Sequence, residues 1–519
     1  MKLVLKGHDE RYVVEQGMLN LFPGERPVYE PIGPEDDTWA RVSLREEADG
    51  CTVEVELSWR GTAATHRLDA PLTGDEFQRE GLRRRAIGRC FFLAAHGVTG
   101  TAPPWGMLTG VRPVKLPTRE MAAGATPEQA RASLERDCYV SPERAKLAVD
   151  CAQASLNAQR TLKEDEVSLY VGIPFCPTRC AYCSFVSADV GRTLKLLEPY
   201  LDALLEEIDA LGRILERTGK GLRTFYMGGG TPTTLSAAQL DRLLTRCREV
   251  LPLEGCTEYT VEAGRPDTID RAKLEVLKGH GVGRISINPQ TLEDHVLRAI
   301  GRKHAAGDIR AANDLARSVG FDCINMDLIA GLPQDSCEGF RRSLEGVLEM
   351  EPENVTIHTL ALKKGSTLME QGGSLPSGAE VAGMLDFSRE VLIQRGYRPY
   401  YLYRQKYMSG ALENVGWAKP GTENLYNIIM MEELQTVVSV GGGGVTKLVD
   451  HAAGRIVRLP NPKYPHDYLP GLAGEGAGPE GGADPVLRPG GSLTPAPCER
   501  SVFPWHINYR RSTAASRAM

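Results

Sequence analysis

Residues 173–185 read IPFCPTRCAYCSF, and in this stretch Cys176, Cys180 and Cys183 form a Cys-x3-Cys-x2-Cys triplet. Three thiolates at this spacing can bind three irons of a [4Fe–4S] cluster and leave the fourth iron open to a small molecule. A structural zinc ion commonly takes four ligands from two cysteine pairs, and no second pair stands nearby. Bacterial ferredoxins use a fourth cysteine. The triplet therefore predicts an iron–sulfur cluster, with unligated buried thiols as the simplest alternative.

The bulk composition is that of a globular protein. The 519 residues are 42% hydrophobic and 25% charged, and this length suggests about two to four domains. A formal net charge of −6 argues against a general binder of nucleic acids or of membrane surfaces. The N-terminus has no apolar segment typical of a secretion signal, and no apolar run reaches the length of a membrane span. The cysteines outside the triplet show no pairing pattern, so we expect a cytoplasmic protein in a reducing compartment.

From Val167 the sequence alternates between strand-like and helix-like runs. The strand-like runs are SLYVGIP, RTFYMGG, YTVEA, RISINPQ, CINMDLIAG and NVTIHTL. Such repeats predict a parallel sheet with helical crossovers, and right-handed crossovers curl a sheet of this kind towards a barrel. Ligands of these folds bind at the C-terminal ends of the strands. The cysteine triplet, GGGTP at 228–232, Glu262, Gln290 and Asp327 all fall at or just beyond predicted strand ends.

The flanking regions differ from this core. WARVSLREE and CTVEVELSWR alternate apolar and polar residues as half-buried strands do, and helical patterns follow as far as residue 160. After about residue 375 one more helical run leads into a segment rich in tyrosine and positive charge, and the last fifty residues are rich in Gly, Pro and Ala. We predict an N-terminal α+β extension (1–160), a core (165–370), a C-terminal region that caps the substrate (371–468) and a disordered tail (469–519).

The ordered motifs resemble those of radical S-adenosylmethionine (SAM) proteins. CPTRCAYC follows a strand, and MGGGTPT, VEAGRPDT, RISINPQ and DLIAGLP come after it in that order. Within that class the chain is similar to the oxygen-independent coproporphyrinogen III oxidase-like family, in particular to the longer HemZ-type coproporphyrinogen dehydrogenases. WGMLTGVRPVKL and ENVGWAKPGTENLYNI carry this resemblance over roughly residues 100–465. It implies an α/β fold: a partial (β/α)6 radical SAM barrel with a β-rich and helical N-terminal domain and a smaller C-terminal α+β region.

The resemblance also implies roles for individual residues. The three cysteines would ligate the cluster, and SAM would chelate the open iron through its amino and carboxylate groups. Tyr170 would steady the SAM carboxylate, Tyr182 would lie near the adenine, and the glycine turn would let the backbone approach the amino group. No catalytic side chain is predicted. The full set of predicted SAM contacts is Tyr170, Tyr182, Gly229, Gly230, Thr231, Glu262, Gln290, Arg302 and Asp327.

Each of these residues also has a plain structural interpretation. The glycines at 228–230 can form a tight turn, as can Gly441–Gly444, and neither run fits a phosphate-binding motif. Glu262 can be a strand-end carboxylate, and Asp327 can be a helix cap or turn residue. Tyr170 can belong to the core of a strand. Arg302 can face solvent, as most helical arginines do.

The reaction implied by the resemblance is the oxidative decarboxylation of coproporphyrinogen III. A radical takes hydrogen from the β-carbon of a propionate, which loses CO2 and becomes a vinyl group, and two rounds give protoporphyrinogen IX in haem biosynthesis. An electron donor such as flavodoxin or ferredoxin would be a partner. A macrocycle with four carboxylates needs apolar surface and cations, and the segment Tyr397–Tyr407, which contains Arg404, supplies both. An ordinary amphipathic strand pair is the alternative for that segment.

Phe185 departs from the pattern of the well-described decarboxylating enzymes, which have a fourth cysteine two residues after the third. HemW-type haem chaperones also lack that cysteine, so haem binding or transfer is the second hypothesis. Against it, their typical His-Asn-x-x-Tyr-Trp segment is absent, since the comparable region reads ENVGWAKPG. The third hypothesis is a radical SAM enzyme that acts on another substrate.

Overall fold

The computed structural model describes residues 1–110, 112–183, 188–189, 193–361, 366, 368, 375–405 and 409–469. The chain divides into two units. The first comprises Met1–Thr161, Gln290–Ile300 and Met326–Glu432, and the second comprises Leu162–Pro289, Gly301–Asn325 and Glu433–Met519. Phe185 and the predicted tail from Pro470 onward lie outside the described residues. The four-part division drawn from the sequence stays a prediction.

The chain begins with a small sheet in the first unit. Its strands lie in the order β1 (Lys2–Lys6), β2 (Trp39–Glu46), β3 (Gly50–Trp59) and β4 (Thr62–Pro71). Strand β1 pairs in parallel with β2, whereas β2, β3 and β4 form antiparallel hairpins. Alternate residues of β3, among them Val53 and Val55, are buried in a core shared with the helices. The elements of this part are β1 (Lys2–Lys6), α1 (Arg11–Leu21), β2 (Trp39–Glu46), β3 (Gly50–Trp59), β4 (Thr62–Pro71), α2 (Glu76–Thr99), α3 (Lys115–Ala122), α4 (Pro127–Cys138) and α5 (Pro142–Gln159).

Local sequence signals explain where the helices of this part begin and end. Asp75 and Gln78 form a capping box at the start of α2, and Gly100 ends that helix with a φ of 66°. Thr126 and Ser141 cap α4 and α5, each with a proline at the first helical position. Helix α1 was not expected within a β-rich start, because its two adjacent valines and its glycine lower the helical propensity.

The middle of the chain alternates strands and helices, as the sequence predicts. All six strand-like runs are strands. The helix Leu197–Thr218 buries apolar residues at intervals of three and four, among them Leu201, Leu204 and Ile208. The elements in chain order are β5 (Glu166–Ile173), β6 (Phe175–Cys176), β7 (Ala188–Asp189), α6 (Leu197–Thr218), β8 (Gly221–Gly229), α7 (Ala237–Val250), β9 (Glu258–Glu262), α8 (Arg271–Gly279), β10 (Arg284–Ser286), α9 (Asp294–Ala299), α10 (Ala306–Val319), β11 (Cys323–Ala330), α11 (Cys337–Glu349) and β12 (Asn354–Thr359).

The end of the described chain adds α12 (Gly378–Gln394), β13 (Arg398–Tyr403), β14 (Asn414–Ala418), α13 (Leu425–Glu432), β15 (Val437–Gly441), β16 (Val445–Asp450), β17 (Arg455–Pro460) and α14 (Pro465–Tyr468). The glycines at 441–444 connect the antiparallel strands β15 and β16, so their interpretation as a turn is confirmed. Across the described ranges, no helix is both long enough and apolar enough to cross a lipid bilayer.

Parallel pairing dominates the second unit. Strand β5 pairs in parallel with β8 on one side and with β15 on the other, and β9 and β10 continue the parallel order to the first residues of β11. In the first unit the rest of β11 lies next to β12, and β14 pairs antiparallel with both β12 and β13. Alternating parallel strands and helices confirm the α/β class. In this arrangement the C-terminal ends of β5, β8 and β9 carry the predicted site residues of those strands.

A buried polar network joins distant segments of the first unit. Trp105 Nε1 donates to Glu413 Oε2 at 2.6 Å, and Arg144 Nε lies 2.9 Å from Glu413 Oε1. Arg144 also pairs with Asp386 of α12. Trp105, Arg144 and Glu413 are all at most 3% exposed. The two motifs that begin at Trp105 and Glu413 are therefore held together by a direct hydrogen bond.

Removal of the Arg144 side chain tests this network. Arg144→Ala leaves the Glu413 carboxylate buried without its cation, and loss of one partner of a buried pair costs about 3–5 kcal/mol in the free energy of unfolding. Arg131 of α4 is a matched control, because it forms an exposed pair with Glu135 one turn away, and its replacement by alanine costs about 0.5 kcal/mol or less. Urea unfolding measures both values, and equal small losses for the two variants would contradict the structural role of Arg144.

Candidate functional site

The cysteine triplet lies just beyond the C-terminal end of β5. Strand β5 ends at Ile173, Cys176 closes the short strand β6, and Cys183 N donates to Cys180 O at 3.1 Å. All three thiols are partly accessible. No three His, Cys, Asp or Glu side chains of the described ranges converge on a single metal ion. The thiolates of a cluster each bind a different iron, so this donor set fits a [4Fe–4S] cluster.

The glycine turn after β8 lies against the strand that leads to the first cysteine. Gly230 N donates to Ile173 O at 2.8 Å, and Thr231 N donates to Phe175 O at 2.7 Å. A Cβ atom at position 230 would lie 2.4 Å from Phe175 O, so only glycine fits. Thr231 Oγ1 is 3.4 Å from Cys176 Sγ. Gly228 and Gly229 are the last residues of β8, and Gly230 forms the bend that follows beside the first predicted cluster ligand.

Tyr170 and Glu262 come together through a residue that the sequence analysis missed. Tyr226 is the register partner of Tyr170, and their rings are nearly parallel with centroids 6.2 Å apart. Tyr226 Oη donates to Glu262 Oε1 at 2.5 Å. Burial, with a smaller effect of the Glu262 carboxylate, raises the pKa of Tyr170 far above its usual range, so this phenol stays neutral. The available signal for Tyr226 was its position two residues before Gly228, on the same face of β8.

Arg302 is buried instead of facing solvent, so that alternative is wrong. It is 7% exposed, and its Nη2 donates to Tyr182 Oη at 2.9 Å. Its Nη1 donates to Gly264 O and to Asn288 O at 3.4 and 3.3 Å. Burial raises the pKa of Tyr182 above its usual range, against the opposing charge of Arg302. Arg302 therefore holds a neutral tyrosine that stands between the second and third cysteines.

Gln290 and Asp327 lie together in the first unit. Gln290 N donates to Asp327 O at 2.8 Å, and Gln290 O accepts from Ile329 N at 3.0 Å. Gln290 has a φ of 68°, a left-handed conformation that is uncommon for a residue with a side chain. Asp327 is inside β11, so the cap and turn alternatives are wrong, and its Oδ2 lies 3.6 Å from His358 Nε2. Burial and the Asp327 charge raise the pKa of Tyr403 to about 12.

Arg404, the cation of the segment Tyr397–Tyr407 that was expected to bind substrate, is engaged within the protein. Arg404 is 6% exposed, and its guanidinium donates to the carbonyl oxygens of Ala411 and Leu108. Burial lowers the pKa of Arg404 to about 10. Tyr400 is also buried, and Tyr397 Oη donates to Pro352 O. The expectation that Arg404 binds a substrate carboxylate is corrected, since its donors hold the backbone, and Lys406 and Tyr407 lie outside the described residues.

His304 is a buried polar residue near Arg302 that the sequence analysis did not single out. It is 6% exposed, and neither of its ring nitrogens has a hydrogen-bond partner among the described residues. Its Nδ1 lies 3.9 Å from Asp267 Oδ1. Burial, with the charge of Arg302, lowers the pKa of His304 from 6.5 to about 4. The imidazole is therefore neutral at neutral pH.

The lowered pKa of His304 predicts a loss of stability in mild acid. Between pH 6.5 and 4 the unfolded chain carries a proton on His304 that the folded chain lacks. The free energy of unfolding should therefore fall as the pH is lowered through this window, and His304→Gln should make that fall smaller. Urea unfolding of the cluster-free protein at several pH values measures both slopes, and equal slopes would contradict the assignment.

Comparisons with known proteins identify relatives of the chain. Residues 170–345 match the profile of the Radical SAM superfamily. The chain is 36% identical over 479 residues to the oxygen-independent coproporphyrinogen-III oxidase-like protein HemZ of Bacillus subtilis (strain 168), a match that covers 90% of this chain and 95% of that protein. It is 33% identical to the heme chaperone HemW of Lactococcus lactis subsp. lactis (strain IL1403), over 58% of this chain and 73% of that protein.

A solved structure of coproporphyrinogen III oxidase (HemN) from Escherichia coli, described as a radical SAM enzyme, is 27% identical to the chain. The structural alignment covers 57% of this chain and 67% of the solved chain, with a TM-score of 0.46. The family match spans the cysteine triplet, the glycine turn and Glu262, and the HemZ match spans nearly the full length of both proteins. The chain therefore belongs to the oxygen-independent coproporphyrinogen III oxidase-like family of radical SAM proteins, whose cofactors are a [4Fe–4S] cluster and SAM.

Proposed function

We propose that the chain is a radical SAM oxidoreductase that decarboxylates two propionates of coproporphyrinogen III to vinyl groups and so forms protoporphyrinogen IX. The observation that carries this proposal is the length of the match with HemZ, which covers 90% of this chain, whereas the HemW match covers 58%. Most of the chain outside the radical SAM profile is thus shared with the coproporphyrinogen-III oxidase-like relative.

Cys176, Cys180 and Cys183 are the proposed ligands of the cluster. Their position after β5, their partial exposure and the contact of Cys176 with Thr231 support this assignment. When bound, the cluster and SAM supply a one-electron cleavage that yields a hydrogen-abstracting radical. The task of the side chains around them is to bind, orient and exclude water.

The residues at the ends of β5, β8 and β9 are the proposed binding site for the methionine part of SAM. Tyr170 is neutral and can donate its hydroxyl hydrogen to a carboxylate, which an ionised phenolate would repel. Glu262, fixed by the hydroxyl of Tyr226, can accept from an ammonium group. Gly229, with a φ of 110°, Gly230 and Thr231 present backbone without bulky side chains between these groups and Cys176.

Four further residues are proposed SAM contacts. Arg302 fixes the ring of Tyr182, and a fixed aromatic ring is suited to contact with an adenine. Gln290 and Asp327 are proposed as polar contacts, supported by their backbone hydrogen bond and by the left-handed conformation of Gln290, which is typical of functional sites. We further propose a cytoplasmic location and a flavodoxin or ferredoxin as electron donor, because the cluster needs reducing conditions.

A haem chaperone is the second candidate function. It is favoured by Phe185, which replaces the fourth cysteine of the decarboxylating enzymes, and by the match with HemW, whose name is that of a heme chaperone. In this case the chain would bind haem tightly and transfer it without decarboxylation. Turnover and haem binding therefore distinguish the two candidates.

Anaerobic turnover tests the proposal. The cluster is reconstituted, reductant and SAM are added, and coproporphyrinogen III and 5′-deoxyadenosine are followed by mass spectrometry. We expect the loss of two CO2 from each substrate molecule, and we expect Cys176→Ala to lose iron and to abolish both products. Cys138→Ala is the control, because Cys138 is a partly accessible thiol at the end of α4, outside the triplet.

Two other outcomes would reject the proposed substrate. Production of deoxyadenosine with intact coproporphyrinogen would retain the radical chemistry and point to another substrate. Tight haem binding with neither product would favour the chaperone. Equal iron content in Cys176→Ala and Cys138→Ala would contradict the proposed cluster ligands themselves.

A further inference from the structure

Two buried arginines of the second unit contact the two short segments between the cysteines. Arg265 Nη1 donates to Thr178 O at 3.1 Å and to Thr178 Oγ1 at 2.7 Å. Thr178 stands between Cys176 and Cys180, and Tyr182, which Arg302 contacts, stands between Cys180 and Cys183. Each segment of the cysteine loop is thus held by one guanidinium.

Hydrogen bonds on two edges fix the guanidinium of Arg265. Its Nε and Nη2 donate to the two oxygens of Asp267 at 2.9 and 2.7 Å, while its Nη1 faces Thr178. The side chain is 3% exposed. A guanidinium can make such bonds on two edges at once, whereas an ammonium cannot reproduce that fork. Arg265 therefore connects the cysteine loop rigidly to the segment after β9.

The segment Arg265–Thr268 is organised locally to present this guanidinium. The residue before a proline is restricted to extended conformations, and Arg265 has φ −135° and ψ 123° before Pro266. Arg265 O accepts from Thr268 N at 3.0 Å and from Thr268 Oγ1 at 2.8 Å. Thr268 Oγ1 is also 2.6 Å from Thr233 Oγ1, in the short helix after the glycine turn. Hydrogen bonds around Arg265 thus connect three sequence motifs, CPTRCAYC, MGGGTPT and VEAGRPDT.

On the basis of the cluster site assigned under the proposed function, we propose that Arg265, through Thr178, is a positioning residue for the cluster. It keeps the segment between the first two cysteines in one conformation, so that the thiolates are held ready for the irons. Loss of the guanidinium fork frees the loop and exposes the cluster to loss of iron.

The test uses the full chain with its cluster reconstituted anaerobically. An iron chelator is added, and the decay of the iron–sulfur absorbance gives the rate of cluster loss. We expect Arg265→Gln and Arg265→Lys to lose the cluster at least about tenfold faster than the wild type, the effect of one lost charge-assisted hydrogen bond. Arg271→Gln is the matched control, since Arg271 is an exposed arginine of α8 paired with Glu275, and it should decay as the wild type does.

Thr178→Val keeps the test decisive if an Arg265 variant fails to fold. It conserves the shape of the side chain and removes only the Oγ1 acceptor, so its decay rate should lie between those of the wild type and Arg265→Gln. The electron paramagnetic resonance spectrum of the reduced cluster should broaden in the Arg265 variants, which a general loss of stability would not produce.

Arg265→Lys keeps the positive charge but removes the fork of hydrogen bonds, so it distinguishes the role of the charge from that of the positioning. If it retains the wild-type decay rate and spectrum, the charge alone matters and the positioning role is overturned. Wild-type behaviour of Thr178→Val together with Arg265→Gln would overturn it as well. A wild-type protein that binds no iron would instead reject the cluster site, so the two failures are distinguishable.

Discussion

Two backbone hydrogen bonds attach the glycine turn to the strand that leads to Cys176, and the other contacts of the site depend on them. They run from Gly230 to Ile173 and from Thr231 to Phe175, and a side chain at position 230 would collide with the Phe175 carbonyl. This attachment places Thr231 beside the Cys176 thiol. A loop of three cysteines has no hydrophobic core of its own, so its shape must come from neighbours such as this turn.

The strands of the core and the cysteine triplet could be predicted from the sequence. Runs such as RTFYMGG and CINMDLIAG carry the apolar residues that are buried in β8 and β11. Because parallel strands end at one edge of a sheet, the residues after them could be expected near a common site. The glycine run was recognisable too, although its packing against Phe175 was not, since a close approach of two backbones leaves no trace in either local sequence.

The hydrogen-bond partners of buried charged residues could not be predicted from the sequence. Arg265 and Arg302 contact the cysteine loop, whereas Arg404 holds backbone carbonyls of the first unit. Local periodicity carries no information on which carbonyl or hydroxyl a long side chain will reach. His304 and Tyr226 were missed for the same reason, because their roles arise from partners tens of residues away.

The first unit shows how buried charged groups fix segments that are distant from one another in the sequence. Arg144, Glu413 and Trp105 form a buried network in which each polar group depends on the next, and such networks define one arrangement of the segments that contribute to them. Tyr400 and Tyr401 of strand β13 are buried within the same unit.

The central claim is that three cysteines bind a cluster whose fourth iron is open to SAM. Pulsed electron paramagnetic resonance of the reduced protein, with SAM labelled with 15N in its amino group, tests it most directly. We predict a hyperfine coupling between the cluster and that nitrogen, which disappears when SAM is omitted. A cluster signal that SAM leaves unchanged, with no coupling, would show that the fourth iron has another ligand and would contradict the account.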